Sequence, residues 1–244
     1  MKQVLKYRLP NSLIFALTLI SLTITAATGF AQAKKEALDV IGARYDFGYV
    51  AFGSIIKHRA VLINRWDSVV NITRVVPGCG CTQIPLKTKV LAPGDSVEIE
   101  MIFDTGKIQA GIFEKAPVIF TDNRETPRVT IRVSGFNLKP DDLQPQIKVE
   151  PQSLTIERNQ ASQIVTFSVY NGAPKSVFAR VADGPQSPYL EVTPPVRQIL
   201  PGLKDSVTVK LLSDNLAASR SEESITLVFN DMKQTRWTIP VLIK

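Results

Sequence analysis

The chain has 244 residues, of which 29 are basic and 22 acidic, a net charge of +7. The basic residues are scattered rather than gathered in a run, which argues against a phosphate-tracking surface and a nucleic-acid partner. With one histidine, His58, a multi-histidine metal site lacks ligands, and a catalytic triad would rest on that residue alone.

In chain order, Lys2, Lys6 and Arg8 precede an uncharged apolar run, SLIFALTLISLTITAATGF, and then Ala31-Gln32-Ala33. Basic, apolar, then small-x-small is the order of a secretory signal, so residues 1–33 are read as a signal peptide. An uncleaved anchor is the competing reading, because the run is nearly long enough to span a bilayer. No cysteine lies near the junction, which excludes a lipoprotein anchor. The protein is therefore expected in the periplasm or secreted, without stable membrane insertion once the signal is removed. What remains, about 210 residues, suits one large domain or two of about 100.

Beyond the signal the pattern is apolar–polar alternation broken by Gly, Pro, Asn and Asp, with no convincing helix. Counting back from Asn64, Leu62, Ala60 and His58 share one face. In VEIEMIF, Val97, Ile99, Met101 and Phe103 lie opposite Glu98 and Glu100. RVTIRVS (Arg128–Ser134) and VTFSVY (Val165–Tyr170) alternate in the same way. Period two with one apolar face marks half-buried strands, and many short ones separated by turns predict an all-β fold of sandwich type.

The sequence also repeats. Strands end at Asn64 and Asn171; Pro-Gly turns follow at Pro93-Gly94 and Pro201-Gly202; then come DSVEIEMIF and DSVTVKLLS. The spacing predicts two copies of one module: an immunoglobulin-like domain over 40–138, a linker over 139–146 (KPDDLQPQ), and a second such domain over 147–244. The register puts a valine, Val165, where the first module has His58. That predicts an inward or partly buried histidine with one hydrogen-bond partner, a ligand or catalytic role being the alternative.

Both cysteines fall in VVPGCGCTQ (Val75–Gln83), and the second module has none at the corresponding position, near Gln186-Ser187-Pro188. In an extended strand, Cα atoms two residues apart lie about 6.5–7 Å from each other, the outer limit for a disulfide. Gly80 would allow the bend that closes the bond. Three readings stay open: a passive disulfide, the simplest in an exported protein; a cycling dithiol; and a thiolate pair holding a soft metal such as copper(I), with His58 as a further ligand. In the last, Cys79, Cys81 and His58 are the metal residues. Zinc would want four ligands and finds only these and carboxylates.

Residues 46–136 resemble an exported bacterial family known as domain of unknown function 1573. The resemblance rests on Asp46-Phe47-Gly48 with Val50, on His58 six residues before Asn64, and on Cys79-Gly80-Cys81-Thr82. Leu91-Ala92-Pro93-Gly94, Phe103-Asp104-Thr105, Gly111 with Phe113, and Thr121-Asp122-Asn123 continue it. Ala60 stands where the family often has Phe, and Asn64-Arg65-Trp66-Asp67 replaces its Asn-Thr-Gly. The resemblance implies an immunoglobulin-like sandwich similar to major-sperm-protein domains, an envelope location and no established activity.

Asp104-Thr105-Gly106 matches the aspartic-protease signature but occurs once and is followed by Lys107, so it is read as strand and turn. Asn71-Ile72-Thr73 is a sequon without significance in bacterial export. Trp66 and Trp237 are read as partly buried anchors rather than sugar platforms, Trp66, in a polar turn, being the better candidate for an exposed contact. The function expected is that of a non-enzymatic structural or interaction module with no cofactor and another envelope protein as partner. The first alternative is a metal- or thiol-handling protein. The second is a pilus-type periplasmic chaperone, for which the basic anchor pair cannot be placed and to which the CGC signature does not belong.

Overall fold

In a computed structural model of the chain, the structure describes residues 37–157, 164–212 and 221–244. The signal-peptide assignment lies outside the described residues. The first module contributes β1 (Leu38–Ile41), β2 (Arg44–Ala51), β3 (Ile55–Asn64), β4 (Val70–Val76), β5 (Thr82–Gln83), β6 (Val90–Leu91), β7 (Ser96–Asp104), β8 (Gly111–Lys115), β9 (Val118–Thr121), β10 (Arg128–Thr130) and β11 (Arg132–Leu138). The second contributes β12 (Ile147–Glu150), β13 (Leu154–Ile156), β14 (Ile164–Asn171), β15 (Ala179–Val181), β16 (Leu190–Thr193), β17 (Lys204–Leu211), β18 (Ser221–Phe229) and β19 (Arg236–Ile243). Among the described residues the one helical turn is a 3₁₀ turn at Thr105–Lys107.

The repeat in sequence is a repeat in topology. One sheet runs β1-β3-β7-β5 and its counterpart β12-β14-β17-β16. Leu38 pairs Asn64 in the first, and Ile147 pairs Asn171 in the second. Each sheet covers its own hydrophobic core. Leu38, Phe47, Ile56, Leu62, Met101 and Phe103 anchor one cluster; Ile147, Phe167, Leu227, Phe229 and Trp237 anchor the other.

The modules are fused rather than strung on a linker. One seven-stranded sheet runs β15-β18-β19-β2-β11-β8, with β13 also paired to β19. Its junction is the parallel pairing of Trp237 with Tyr49 and of Thr238 with Val50. Strand β2 serves both cores: Phe47 and Val50 enter the first, while Tyr49 packs on the second against Phe136 and Trp237. Strict alternation cannot place residues that way. Opposite β11, the register jumps from Asp46–Ser134 to Tyr49–Phe136, so β2 carries one extra residue, a β-bulge. Gly48 (φ +64°) forms it, and the Asp46 carboxylate accepts its N–H at 2.9 Å. A β-carbon at Gly48 would also collide with the β-carbon and carbonyl of Arg236 on β19. Asp-Phe-Gly is thus the joint that lets β19 dock.

Candidate functional site

The CGC turn lies between β4 and β5, at the end of the β1-β3-β7-β5 sheet. Thr82 N–H donates to the Cys79 carbonyl (3.3 Å), closing the turn, and Asp104 N–H donates to the Cys81 carbonyl (2.9 Å), tying it to β7. Cys79 and Cys81 form a disulfide, with Cα atoms 5.2 Å apart, well inside the usual range. Gly80 and Cys81 are the central residues of this turn, as the sequence suggested, and Gly78, just before it, takes the left-handed conformation (φ +86°). Cys81 is buried, 5% exposed, and packs in the first core, while Cys79 is half-buried. The Thr82 hydroxyl lies 3.2 Å from Cys79 Sγ and 3.7 Å from Cys81 Sγ. A disulfide carries no S–H, so the hydroxyl is the donor.

His58 is not part of this turn. It points into the first core, 3% exposed, and stacks on Tyr45 with ring centroids 4.2 Å apart. Its Nε2 lies 2.8 Å from the Gly42 carbonyl, which can only accept, so the neutral ring is protonated on Nε2. Burial and the neighbouring Arg59 charge, against that hydrogen bond, lower its pKa to about 4. Among the described residues, no group of three or more His, Cys, Asp or Glu is placed to hold a metal. The structure thus joins the two cysteines to each other and sets His58 apart from them.

The other motifs resolve into structure. The Asp104 carboxylate accepts the Gly106 N–H at 3.0 Å and pairs with Lys107 at 3.1 Å. The Thr105 hydroxyl, fully buried, lies 3.1 Å and 3.0 Å from the Ala51 and Ser54 carbonyls and accepts the Ser54 N–H. Trp66 is partly buried against the first core, as expected of an anchor, while Trp237 donates to the Ile147 carbonyl at 2.8 Å.

What the sequence reading missed is the ionic cluster at the junction. Lys57 and Arg59 alternate with His58 on β3, so by pattern they face solvent. Strand β18 covers that face instead. Arg59 Nη2 donates to Glu223 Oε1 at 2.8 Å, and Nη1 lies 2.7 Å from Oε2. Lys57 Nζ reaches Oε1 at 3.1 Å, and its N–H donates to Ser224 Oγ. Glu98 and Glu100 on β7 complete the rim at 3.6 and 3.5 Å from Arg59. Burial alone would raise the Glu223 carboxyl; the hydrogen bond and charge of Arg59, with Lys57 and Ser187, hold it below the usual carboxylate range. A hydroxyl relay runs alongside. Thr238 donates to the Phe47 carbonyl at 2.6 Å, Thr226 therefore donates to Thr238 at 2.7 Å, and the Tyr45 hydroxyl bonds Thr226. Only the packing of β3 against β18, from another sheet, reveals the ionic groups.

Two β-sandwiches, each with its own core and sharing one mixed sheet, make this an all-β protein of the immunoglobulin-like class. Residues 38–137, the span of the first module, match the family described as "Protein of unknown function (DUF1573)". No curated protein matches the chain. Among solved structures, it is similar to a protein of unknown function from Porphyromonas gingivalis W83, at 14% identity and TM-score 0.37, over 85% of this chain and 99% of that one. The ASH / PapD-like domain 7 of human CEP192 matches at 9% identity and TM-score 0.36, over 43% of this chain and 88% of that one. The periplasmic chaperone SfaE matches at 13% identity and TM-score 0.31, over 85% of this chain and all of that one.

Proposed function

We propose that the protein is an exported, non-catalytic envelope component that acts as a rigid interaction module, with another envelope protein as its partner. The observation that carries this reading is the fused junction. The shared sheet and the buried Arg59–Glu223 contact hold two sandwiches as one body, which suits a scaffold that presents strand edges in a set geometry. Strand β8 ends the seven-stranded sheet, with β11 its neighbour among the described residues, and Ile112 on it is 87% exposed. An edge with an outward apolar side chain suits strand addition by an extended partner segment. The polar motifs that resemble catalytic ones, Asp104-Thr105-Gly106 and His58, are engaged in internal hydrogen bonds, which supports the non-catalytic reading.

Site-specific photocrosslinking in the native cell tests it. A crosslinker at Ile112 should give one discrete protein adduct that is missing when the crosslinker sits at Met232, which is equally exposed. Identical patterns from both positions would sink the edge-binding reading. Intact mass of the purified chain tests export, with Lys34 expected as the first residue.

A further inference from the structure

We propose that the Cys79–Cys81 bond is an exchangeable disulfide that trades electrons with a cysteine pair on a partner polypeptide, with Cys79 as the sulfur attacked and Thr82 as the donor that serves the departing thiolate. This goes beyond the interaction-module reading and stands on different residues.

Four observations converge on it. The bond spans a single residue, so it constrains almost none of the unfolded chain and is a poor staple. The fold does not require sulfur at this place. In the second module the residues immediately before β16, Ser187-Pro188-Tyr189, occupy the position that Cys79-Gly80-Cys81 occupies before β5, and the sheet forms in the same order. The two sulfurs are unequal: Cys79 is half-buried beside an exposed Gly80, and Cys81 is packed in the core. Beside Gly80 lies open space, with nothing within 4 Å of where a β-carbon would stand. Of the two sulfurs, an incoming thiolate therefore reaches that of Cys79 more readily. Finally, the Thr82 hydroxyl already points its hydrogen at the pair.

The exchange balances as follows. A partner thiolate attacks Cys79 Sγ; the Cys79–Cys81 bond breaks, and its electron pair leaves on Cys81 Sγ. Thr82 donates a hydrogen bond to that thiolate, which would otherwise be poorly solvated in the core, until it takes a proton from solvent. The partner's second thiolate then attacks its own sulfur in the mixed disulfide and releases Cys79 as a thiol. Two partner thiols become one disulfide, and Cys79–Cys81 becomes a dithiol. A second disulfide, of a protein or a small thiol, restores the bond by the reverse steps.

The test uses the purified chain, with reduced and oxidised glutathione and a synthetic two-cysteine peptide as probes. Folded wild-type protein should oxidise one equivalent of the reduced peptide and become alkylatable at both cysteines. Oxidised glutathione should form an adduct with Cys81→Ser, through Cys79, at least tenfold faster than with Cys79→Ser. In the Cys79→Ser background, Thr82→Val should move the pH midpoint of Cys81 alkylation upward, and Thr82→Ser should restore it, with unchanged melting curves. A bond reduced only after unfolding in urea overturns the proposal, as do equal rates for the two serine variants. Glutathione adducts without peptide oxidation overturn the assigned substrate. The Ile112 crosslink involves none of these residues, so the two readings fail separately.

Discussion

Arg59 and Glu223 stand 164 positions apart in the chain, yet their side chains meet at 2.7–2.8 Å with almost no exposure to solvent. Taking both charges out of water is expensive, and the pair's net contribution to stability is small at best. Removing one partner is another matter, because it leaves an uncompensated charge inside the junction. Glu223→Gln should cost roughly 3–5 kcal/mol in urea unfolding. The double variant Arg59→Met/Glu223→Leu should recover most of that loss. If Glu223→Gln costs under about 1 kcal/mol, the junction is wetter than the structure describes.

The acid behaviour follows from two buried groups with separate windows. His58 binds a proton at about pH 4 in the folded protein, against the ordinary 6.5. Its pKa is depressed on folding, so between pH 6.5 and 4 the unfolded chain holds more protons. Stability therefore falls as the pH drops through that interval, by about 3 kcal/mol at most. Below pH 4 His58 contributes nothing further. Glu223, whose carboxyl is also depressed, adds stability that is present above its unfolded pKa and lost as the pH falls through its folded one. Unfolding free energies at pH 7.5, 5.5 and 4 should show the first slope, and His58→Gln, which can still donate to Gly42, should abolish it. An imidazole titrating at 6.5 by NMR would contradict the burial.

Asn64 and Asn171 perform the same task in the two modules. The Asn64 amide donates to the Ser68, Leu91 and Ala92 carbonyls, and its oxygen accepts the Trp66 N–H. Asn171 donates to Lys175 and Ile199 and accepts from Ala173. Each closes the loop after its strand against the Pro-Gly turn. Replacement by Asp leaves the acceptor but removes the donors, so three carbonyls lose the Asn64 amide and two lose that of Asn171. Asn64→Asp and Asn171→Asp should each cost about 3 kcal/mol, and Ala should be no better. A loss confined to Asn64 would mean that the repeat is one of shape and not of mechanism.

Much of this was legible in sequence, for a physical reason. Alternation such as Val97/Ile99/Met101/Phe103 against Glu98/Glu100 reports one buried face, and the Asn to Pro-Gly spacing reports a loop closed by a side chain. Both are local, so the sandwich and the doubling of the module could be read directly. The fused junction was not legible. Lys57 and Arg59 occupy the polar face of a strand, and alternation cannot distinguish water on that face from another sheet carrying Glu223. The bulge at Gly48 was visible as a motif but not as a cause, because its function depends on Arg236, far away in sequence. In the CGC turn the sequence left the disulfide as one of three open readings, because spacing alone put it at the limit of reach, and the inequality of the sulfurs depends on which of them the core covers.

Two glycines test that account of the motifs. At Gly48 an added methyl meets the backbone of Arg236, and the residue's φ of +64° is itself unfavourable for alanine. Gly48→Ala should therefore push β19 off β2 while leaving both cores assembled. The expected signature is a two-step unfolding curve and faster amide exchange at Trp237 and Thr238, not global collapse. At Gly80 the backbone is ordinary and a methyl enters open space, so Gly80→Ala should change stability by less than about 0.5 kcal/mol and leave the disulfide closed. If instead Gly48→Ala is silent and Gly80→Ala prevents the disulfide, the conformational demand lies in the CGC turn and not at the joint. The Asp-Phe-Gly bulge would then need another explanation than the docking of the second module.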